Sequence, residues 1–447
     1  MKNKSCLHAG WLVDGTGRPV QKAVTIHLDG NIIQSIDPVQ KTAPSQASFL
    51  LDLSEYTLLP RLVDCHVHLF MSGTGDIAIR KRQLEAGYDE LKTVISEHIA
   101  AHISCGIGAI RDGGDSKGLT QRYRQQAPQH QDRKEIPHDS AENTNAMRIH
   151  LQVAGIAWHQ SGRYGKLIGR APAPGQSLAS AICHEADLPE YLWPDHIKVV
   201  NSGINSLLSF GKETLPQFSL EELSQAVYDA ERRKLKVMVH ANGRIPVQIA
   251  IEAGCHSIEH GFFMGSENLA RMRDRQTIWV PTAYTMRAYA AHLPPSSREV
   301  HTAQRNLDHQ MDQLRIAKEL GVPVALGTDA GSLGVHHGIS VQEEIRILLE
   351  AGFTIPEAVK CGAQTGAGLL GLKDMGVLIP GMPAAWIAVK GSPSALPNSL
   401  GQIIIPSIPT TRCPCDHAEY RGSDHILHLE TFIKSTTISR REPPPSF

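Results

Sequence analysis

The stretch Leu62-Val63-Asp64-Cys65-His66-Val67-His68-Leu69 is a mostly apolar run with two histidines close to its carboxyl end. Such a run predicts a buried β-strand. Side chains alternate between the two faces of a strand, so His66 and His68 would share one face while Cys65 and Val67 point the other way. Polar groups that close a buried strand are costly unless something binds them. The stretch therefore predicts a core strand that ends in two candidate ligands.

Other apolar runs also carry a polar residue at or near their ends, in the order Lys198, His240, His260 and Asp329. Between the runs lie helix signatures, among them the capping-box pairs Ser219 with Glu222, Ser340 with Glu343 and Thr354 with Glu357. The predicted strands span residues 62–69, 107–111, 151–158, 197–200, 237–240, 257–260, 278–282 and 324–327. Eight parallel strands alternating with helices are typical of an α/β protein built on a (β/α)8 TIM barrel, whose functional residues lie at the carboxyl ends of the strands.

A second, smaller β domain is predicted from the two ends of the chain. Runs at residues 6–13, 23–28, 31–36 and 49–53 indicate an antiparallel sheet, with Asp29-Gly30 as a hairpin turn. A further run at residues 386–390 predicts a strand that rejoins this sheet. We therefore expect residues 1–59 and 372–408 to form a small β-sandwich, residues 60–371 to form a metal-binding barrel, and residues 409–447 to be an irregular tail.

Composition excludes several classes of partner. The 447 residues include 44 Lys and Arg against 45 Asp and Glu, a formal net charge of -1, so there is no electrostatic case for nucleic acid or an anionic membrane. No apolar run approaches the ~18 residues of a membrane span, and the first residues lack a signal-peptide core. The 8 cysteines lie mostly in apolar runs, as reduced thiols do. We expect a cytoplasmic protein that acts on a small molecule, and a homo-oligomer is left open.

Each candidate ligand has an ordinary structural alternative. The chain has 23 histidines, so a His-x-His pair arises readily by chance, and each histidine would serve equally as a core residue bonded to a backbone carbonyl. Asp329 would serve as a helix cap. Lys198 follows Ile197 in a predicted buried strand, where an ammonium either forms an ion pair or loses its proton. A neutral amine can add carbon dioxide and become a carboxylate-like carbamate. All six residues, in this order on eight strands, favour a metal site.

The pattern Val63-Asp64-x-His66-x-His68, then Lys198, His240, His260 and Thr328-Asp329, resembles the metal-dependent amidohydrolase superfamily. The surrounding sequences resemble the branch related to imidazolonepropionase and to the Xaa-Pro and Xaa-Arg dipeptidases with a carboxylated lysine. This resemblance implies two divalent metal ions, with zinc favoured. It implies that His66, His68 and Asp329 bind the buried ion, that His240 and His260 bind the outer one, and that Lys198, carbamylated by carbon dioxide, bridges the two.

The resemblance also implies the reaction, in which a metal-bridging hydroxide attacks an amide or peptide-like C–N bond while Asp329 acts as the catalytic acid and base. A dipeptidase or an N-acyl amino acid hydrolase is the favoured interpretation. A mononuclear deaminase or an imidazolone-type cyclic amide hydrolase is the alternative, although the glutamate that those sites need after the fifth strand is absent from Ala241-Asn242-Gly243-Arg244. A catalytically silent scaffold is a third reading, and such a protein would be expected to have lost ligands.

The chain departs from the family pattern mainly outside the ligands. Arg61, Asn242, residues 161–165 and Ala384-Ala385 replace residues that are common in relatives, and these differences bear on the substrate. The predicted substrate contacts at the barrel mouth are His159, Arg163, Tyr164 and His337. Arg244 and Arg287 are further candidates to receive a substrate carboxylate.

Overall fold

A computed structural model describes residues 4–39, 50–126, 135–137, 148–185 and 193–404. The predicted tail at residues 409–447 lies outside this part of the chain. The strands are β1 (Lys4–Leu12), β2 (Gln21–Asp29), β3 (Ile32–Pro38), β4 (Leu50–Pro60), β5 (Leu62–Val67), β6 (Ile107–Asp112), β7 (Glu135–Pro137), β8 (Arg148–Val153), β9 (Ala157–Trp158), β10 (Gly169–Arg170), β11 (His196–Val200), β12 (Lys236–Ala241), β13 (Ser257–His260), β14 (Ile278–Val280), β15 (Trp386–Lys390) and β16 (Ile403–Ile404).

The α-helices lie between and after the central strands in the chain. They are α1 (Ile77–Glu85), α2 (Tyr88–Ser104), α3 (Leu119–Gln126), α4 (Leu178–Glu185), α5 (Leu220–Glu231), α6 (Arg244–Glu252), α7 (Gly265–Arg275), α8 (Tyr284–His292), α9 (Arg298–Leu320), α10 (Ser340–Glu350), α11 (Ile355–Lys360) and α12 (Gly366–Leu370). The capping boxes at Ser219 and Thr354 are confirmed. The one at Ser340 is wrong, because Ser340 is already helical and Ile339 is the N-cap residue.

The first and last described strands form one mixed sheet in the order β16-β15-β4-β1-β2-β3. Strand β15 returns antiparallel to β4, as expected of a segment that rejoins the amino-terminal sheet. The predicted hairpin turn is present between β2 and β3, with Gly30 at a φ of 63°. The strands described here make a single sheet, so the two packed sheets of the predicted sandwich are not seen.

The central strands alternate with helices and form two mostly parallel sheets, as predicted for an α/β protein. One has the order β5-β6-β8-β7 and the other β10-β9-β11-β12-β13-β14. In the first, only β7 runs antiparallel. Asp195 links the two sheets, since its N–H donates to the Val153 carbonyl (2.8 Å) and its carboxylate accepts from the Val153 N–H (2.9 Å).

Two of the eight predicted strands differ from expectation. Gly155, at a φ of 67°, interrupts the third and separates β8 from β9. The eighth is no regular strand: residues 323–330 make isolated bridges to β14 and to Val67. Pro323 has no N–H to offer, and Asp329 takes a positive φ of 57°, so the ladder cannot continue. The segment still bonds on both sides, from Ala325 N–H to the Trp279 carbonyl and from His68 N–H to the Ala330 carbonyl.

The core lies between the central strands and the helices that cover them. Strand β5 is buried at all six positions, and the apolar faces of α2, α5, α6 and α9 pack into the same cluster. Parallel strands buried on both faces read as continuous apolar runs, which is why polar residues at their ends stood out in the sequence. Among the helices in the described part of the chain, none is long and apolar enough to cross a bilayer.

Candidate metal centre

The six candidate ligands lie at the carboxyl ends of neighbouring parallel strands. His66 is in β5, Lys198 in β11 and His240 in β12, and His260 is the last residue of β13. His68 follows β5 directly. Asp329 ends the segment that lies between β14 and β5, and its N–H donates to the His66 carbonyl at 2.7 Å. Because the carboxyl ends of parallel strands meet at one edge, these side chains converge.

The tightest group consists of His66, His68 and Asp329, whose potential ligand atoms all lie within 4.8 Å of one another. The Asp329 Oδ1 atom is 3.6 Å from His66 Nε2 and 3.5 Å from His68 Nε2. A tetrahedral ion with bonds of ~2.1 Å keeps its ligand atoms about 3.4 Å apart. The spacing within this group therefore fits one metal ion. The prediction that His66 and His68 share a face is confirmed.

The other three candidates adjoin this group. The Lys198 Nζ atom is 3.5 Å from His66 Nε2, and the lysine is only 1% exposed. The His260 ring lies 4.9 Å from the His66 ring and 4.6 Å from the His240 ring, measured between centroids. The structure thus brings all six residues together, with Lys198 beside the first group and the two remaining imidazoles next to it.

Hydrogen bonds to the second ring nitrogen orient each imidazole. The Nδ1 atom of His66 pairs with Glu259 Oε2 (2.8 Å), and that of His68 pairs with the Gly114 carbonyl (2.9 Å). With Nδ1 as the donor, both Nε2 lone pairs face Asp329. The Nε2 atom of His240 lies 3.1 Å from the Gly203 carbonyl, which leaves Nδ1 available. Outer partners of this kind fix the tautomer of metal-binding histidines.

Glu259 connects His66 to a buried arginine. Its Oε1 atom accepts from Arg111 Nη2 (2.8 Å) and from the Ser257 hydroxyl (2.5 Å), while Oε2 takes the His66 imidazole. Arg111 also donates to the Cys65 carbonyl at 2.7 Å. Glu259 was not predicted as a site residue. An acidic residue inside the predicted buried strand that ends in His260 could have identified it.

Asp64 holds the segment that carries Asp329. Its two carboxylate oxygens accept from the Thr328 N–H (3.0 Å) and the Thr328 hydroxyl (2.6 Å). On the far side, the Ser332 hydroxyl donates to Asp329 Oδ2 at 3.0 Å. Asp329 is therefore anchored through one oxygen while the other faces the histidines. The sequence placed Asp64 in the family-like motif but predicted no role for it, although an acid in a buried strand, as in Leu62-Val63-Asp64, is a signal for such a residue. Ser332 was missed.

Burial sets the protonation states at this edge. It lowers the pKa of His68 and of His240 to about 4, and it lowers the pKa of His66 and of His260 well below the usual range. Neutral imidazole is the form that binds a metal. Burial also lowers the pKa of the Lys198 amine and raises the pKa of the Asp329 carboxyl. The donor set is thus four neutral imidazoles, one amine biased toward its free base and one carboxyl group.

Three residues bordering the site adopt the left-handed backbone conformation, which is unusual without glycine. They are His260 (φ 67°), Thr282 (φ 45°) and Asp329 (φ 57°). Such residues cost ~1–3 kcal/mol each and persist only where the surroundings fix them. At His260 the turn has a visible effect: Glu259 and His260 are adjacent, yet both reach His66. The conformation breaks the strand alternation that would otherwise separate them.

We expect Thr282→Val to weaken zinc binding by roughly tenfold, the lower end of the effect of removing a hydrogen-bond partner of a metal-binding histidine. The Thr282 hydroxyl lies 2.7 Å from His260 Nδ1 and fixes that ring, whereas valine keeps the shape and cannot bond. Competition with a chelator measures the apparent Kd. Thr285→Val is the matched control, because its hydroxyl bonds the Thr282 carbonyl and not the imidazole. Equal zinc affinity in Thr282→Val and wild type would contradict this role.

The predicted substrate contacts divide into two groups. Tyr164 adjoins the site: its ring is 5.4 Å from the His240 ring and its side chain is 41% exposed. Arg163 is turned to the neighbouring loop, where it donates to the Leu215 carbonyl at 2.7 Å. His159 is buried and bonds the Gln160 carbonyl through Nδ1.

His337 is buried against helix α2. Its ring stacks on His98 of α2 with centroids 3.9 Å apart, and its Nε2 atom pairs with the Met71 carbonyl at 2.9 Å. The ring is buried, since only 6% of the residue is exposed. These contacts point to a structural position for His337, whereas Tyr164 is open to an incoming molecule.

Comparison with known proteins agrees with this geometry. The family model described as "Amidohydrolase family" matches residues 57–411. Among curated proteins, ochratoxinase from Aspergillus niger is 23% identical over 419 residues, which cover 87% of this chain and 81% of that protein. Imidazolonepropionase from a Polaromonas species is 27% identical over 369 residues, which cover 77% of each.

A solved structure of a Xaa-Pro dipeptidase, with methionine bound in its active site, matches with a TM-score of 0.71 and 27% sequence identity. The match covers 90% of this chain and 97% of that one. Together with the family match, this likeness implies a TIM-barrel-type α/β fold.

Proposed function

Since the chain belongs to the amidohydrolase family, it is a hydrolase of carbon–nitrogen bonds, and we propose that its substrate is a dipeptide or an N-acyl amino acid. The observation that carries this proposal is the convergence of His66, His68 and Asp329 with Lys198 and two further histidines at one strand edge. The likeness to a Xaa-Pro dipeptidase over nearly the whole chain supports a peptide-like substrate.

The donor set suits two divalent ions, and zinc is the favoured metal because three or four nitrogen and oxygen ligands are what zinc prefers. His66, His68 and Asp329 would hold one ion, and His240 and His260 would hold the second through the nitrogens that their outer partners leave available. When bound, the ions polarise the substrate carbonyl and make a water acidic enough to ionise near neutral pH.

Lys198 would join the two ions as a carbamate. A free amine attacks carbon dioxide, an N–C bond forms, and one proton is released to solvent. Burial of Lys198 lowers the pKa of its amine and so favours the free base that this addition needs. The Nζ atom lies 3.5 Å from His66 Nε2, so a carbamate here would place two oxygens near the imidazoles. Its negative charge would offset part of the charge of two metal ions.

Asp329 would move the proton during hydrolysis. A C–O bond forms between the attacking water and the carbonyl carbon while the C–N bond breaks, so one proton must pass from the water to the leaving amine. Asp329 Oδ1 faces the site, and Ser332 holds the other oxygen in place. Burial raises the pKa of Asp329 toward neutrality, which suits a group that accepts a proton and then returns it.

A cyclic amide hydrolase with one metal ion is the second candidate. Two observations favour it: only His66, His68 and Asp329 meet the distances of a single site among the described residues, and imidazolonepropionases are among the relatives. The arrangement of Lys198 argues for the first candidate, because a buried lysine beside His66 has no task in a mononuclear site.

We also propose the domain architecture, the cellular location and the oligomeric state of the enzyme. Backbone bonds on both sides of residues 323–330 support a closed (β/α)8 barrel over residues 60–371, with residues 1–59 and 372–408 forming the small β domain. Cys65, Cys255 and Cys361 are buried and form no disulfide bond within the described residues, which supports a reducing, cytoplasmic location. A homo-oligomer is compatible with this arrangement.

The test is a screen of dipeptides and N-acyl amino acids on zinc-loaded protein, run beside metal analysis by mass spectrometry. We expect about two ions per chain and release of a free amino acid from at least one of these classes. One ion per chain with activity confined to cyclic amides would establish the second candidate. A protein that retains no metal and cleaves none of the compounds would overturn both and leave a silent scaffold.

We expect Tyr164→Phe to lower kcat/KM about fivefold without changing metal content, the effect of losing one hydrogen bond of roughly 1 kcal/mol. The phenol lies beside His240 and is exposed enough to meet a substrate. Arg163→Ala is the companion variant: its guanidinium anchors the same loop to Leu215, so we expect a larger rise in KM as the loop loosens. Unchanged kcat/KM in both variants would leave this loop with a structural role only.

A further inference from the structure

The arginines that the sequence suggested as carboxylate receptors already have partners inside the protein. Arg163 donates to the Leu215 carbonyl. Arg287 forms a two-pronged ion pair with Glu350, and Arg244 lies 4.0 Å from Glu213. A site for an organic anion must therefore be sought among other arginines.

A pocket with a volume of about 430 Å³ lies between the loop after β11 and the first two turns of α9. Its lining includes Leu208, Phe210, Arg298, His301, Thr302 and Arg305, and no acidic residue contributes to it within the described chain. None of these residues is a candidate metal ligand. The pocket is thus a second concave site with its own chemistry.

Within the described part of the chain, the two arginines of this pocket have no carboxylate partner. Neither Arg298 nor Arg305 forms an ion pair with any described residue, in contrast to Arg287 and Arg315. The Arg305 guanidinium instead lies over the Phe210 ring, 4.0 Å from its centroid. That contact occupies the face of the guanidinium and leaves its N–H groups, which lie in the plane, available to a ligand.

Both arginines lie within the first two turns of α9. Arg298 is the first residue of α9, where the helix dipole presents positive charge and a cation is disfavoured. His301 and Arg305 follow at spacings of three and seven, so they share a face with Arg298. Glu299, the one acid of the first turn, pairs with neither arginine. Arg298 therefore adds positive charge where the helix end is already positive, and a bound anion would offset that charge.

The opposite wall is apolar and fixed in place. Leu208 and Phe210 are 56% and 37% exposed, so both side chains present apolar surface to the pocket. Phe210 packs edge-on against Phe263, with ring centroids 5.2 Å apart. Asn306 of α9 donates to the Ser206 carbonyl at 3.2 Å and ties the loop to the helix. The pocket therefore offers a preformed apolar wall facing two cations.

We propose that this pocket binds a small organic carboxylate with an apolar body, apart from the metal centre. The planar guanidinium groups of Arg298 and Arg305 would grip the carboxylate, because their paired N–H groups match its two oxygens. Leu208 and Phe210 would cover the hydrocarbon part. Hydrolysis of an amide yields one carboxylic acid and one amine, so an acid released by this enzyme is one source of such a ligand.

The loop that forms the apolar wall also reaches the metal centre. The Gly203 carbonyl, near its start, accepts from His240, and Leu215, near its end, holds Arg163. A ligand in the pocket would therefore contact the same loop that borders the candidate active site.

Calorimetry on the metal-loaded protein tests the proposal, with 4-phenylbutyrate as the probe. We expect it to bind at least tenfold more tightly than its neutral amide and than inorganic phosphate. Arg298→Gln and Arg305→Gln should each weaken binding tenfold or more at unchanged circular dichroism. Arg315→Gln, further along α9 and paired with Asp312, should bind like wild type.

Two kinds of result would overturn the assignment. Wild-type affinity in both Arg298→Gln and Arg305→Gln would show that the carboxylate binds elsewhere, at the metals for example. An amide or phosphate that binds as tightly as the acid would show that the pocket does not recognise an apolar carboxylate.

Discussion

Replacing Asp329 by asparagine is expected to lower kcat by ~10²–10⁴-fold while metal content is largely retained. The amide keeps the size of the carboxylate and an oxygen that can face His66 and His68, so the ligand cluster should survive. It cannot accept the proton that must pass from water to the leaving amine. The loss should therefore appear in turnover and not in metal binding.

The test is to measure kcat and the number of metal ions per chain on the same preparation of the Asp329→Asn protein. Ser332→Ala is the companion variant, because it removes the hydroxyl that holds Asp329 Oδ2 and leaves the carboxylate itself in place. It should keep most of the turnover. Near-wild-type kcat in metal-replete Asp329→Asn protein would remove Asp329 from proton transfer.

The convergence of the candidate ligands was predictable because it follows from a rule that depends only on local sequence. Buried parallel strands read as unbroken apolar runs, so a histidine or lysine within one is conspicuous. The two-residue period then predicts that His66 and His68 share a face, and their Nε2 atoms do lie on either side of Asp329 Oδ1. Chain order and strand order coincide in this architecture, which is why His66 and Asp329, 263 positions apart in sequence, were expected at one edge.

The features that were not predicted depend on backbone angles that cannot be read from the local sequence. Strand alternation would put Glu259 and His260 on opposite faces, but with a φ of 67° at His260 the imidazole lies near His66, as Glu259 does. The eighth strand looked regular from its apolar residues, whereas Pro323 and the positive φ at Asp329 reduce it to isolated bridges. At both places the departure from the rule is what positions a candidate ligand.

Contacts of long polar side chains were the least predictable feature. Arg163 and His337 were predicted to contact substrate; the sequence did not indicate that Arg163 bonds the Leu215 carbonyl or that His337 stacks on His98. Arg298 and Arg305 carried no signal, because unpaired cations on a helix look like an ordinary solvated face. Which arginine keeps a partner depends on tertiary neighbours that no local pattern encodes.

Replacing Lys198 by alanine is expected to lower metal content below one ion per chain. It should also lower kcat by more than about 100-fold, because 100-fold is the upper end of the loss from removing a residue that only hydrogen-bonds to a metal ligand. The lysine is buried beside His66, whose ring also lies next to that of His260. Alanine leaves a gap the size of the missing side chain. Formate, acetate or propionate should enter that gap and partly restore both metal binding and activity, because a short carboxylate can stand in for the carbamate.

Lys198→Arg is the matched control for this rescue. Arginine keeps a positive charge and fills the space, but it cannot add carbon dioxide, so short acids should not rescue it. The carbamate itself would be visible as density for three further atoms on Nζ in a crystal structure of the metal-loaded enzyme. Density that ends at the amine, or a Lys198→Ala protein that holds two ions and turns over normally, would eliminate the bridge. A lysine that is 1% exposed and lies beside the neutral His66 imidazole would then have no role in metal binding.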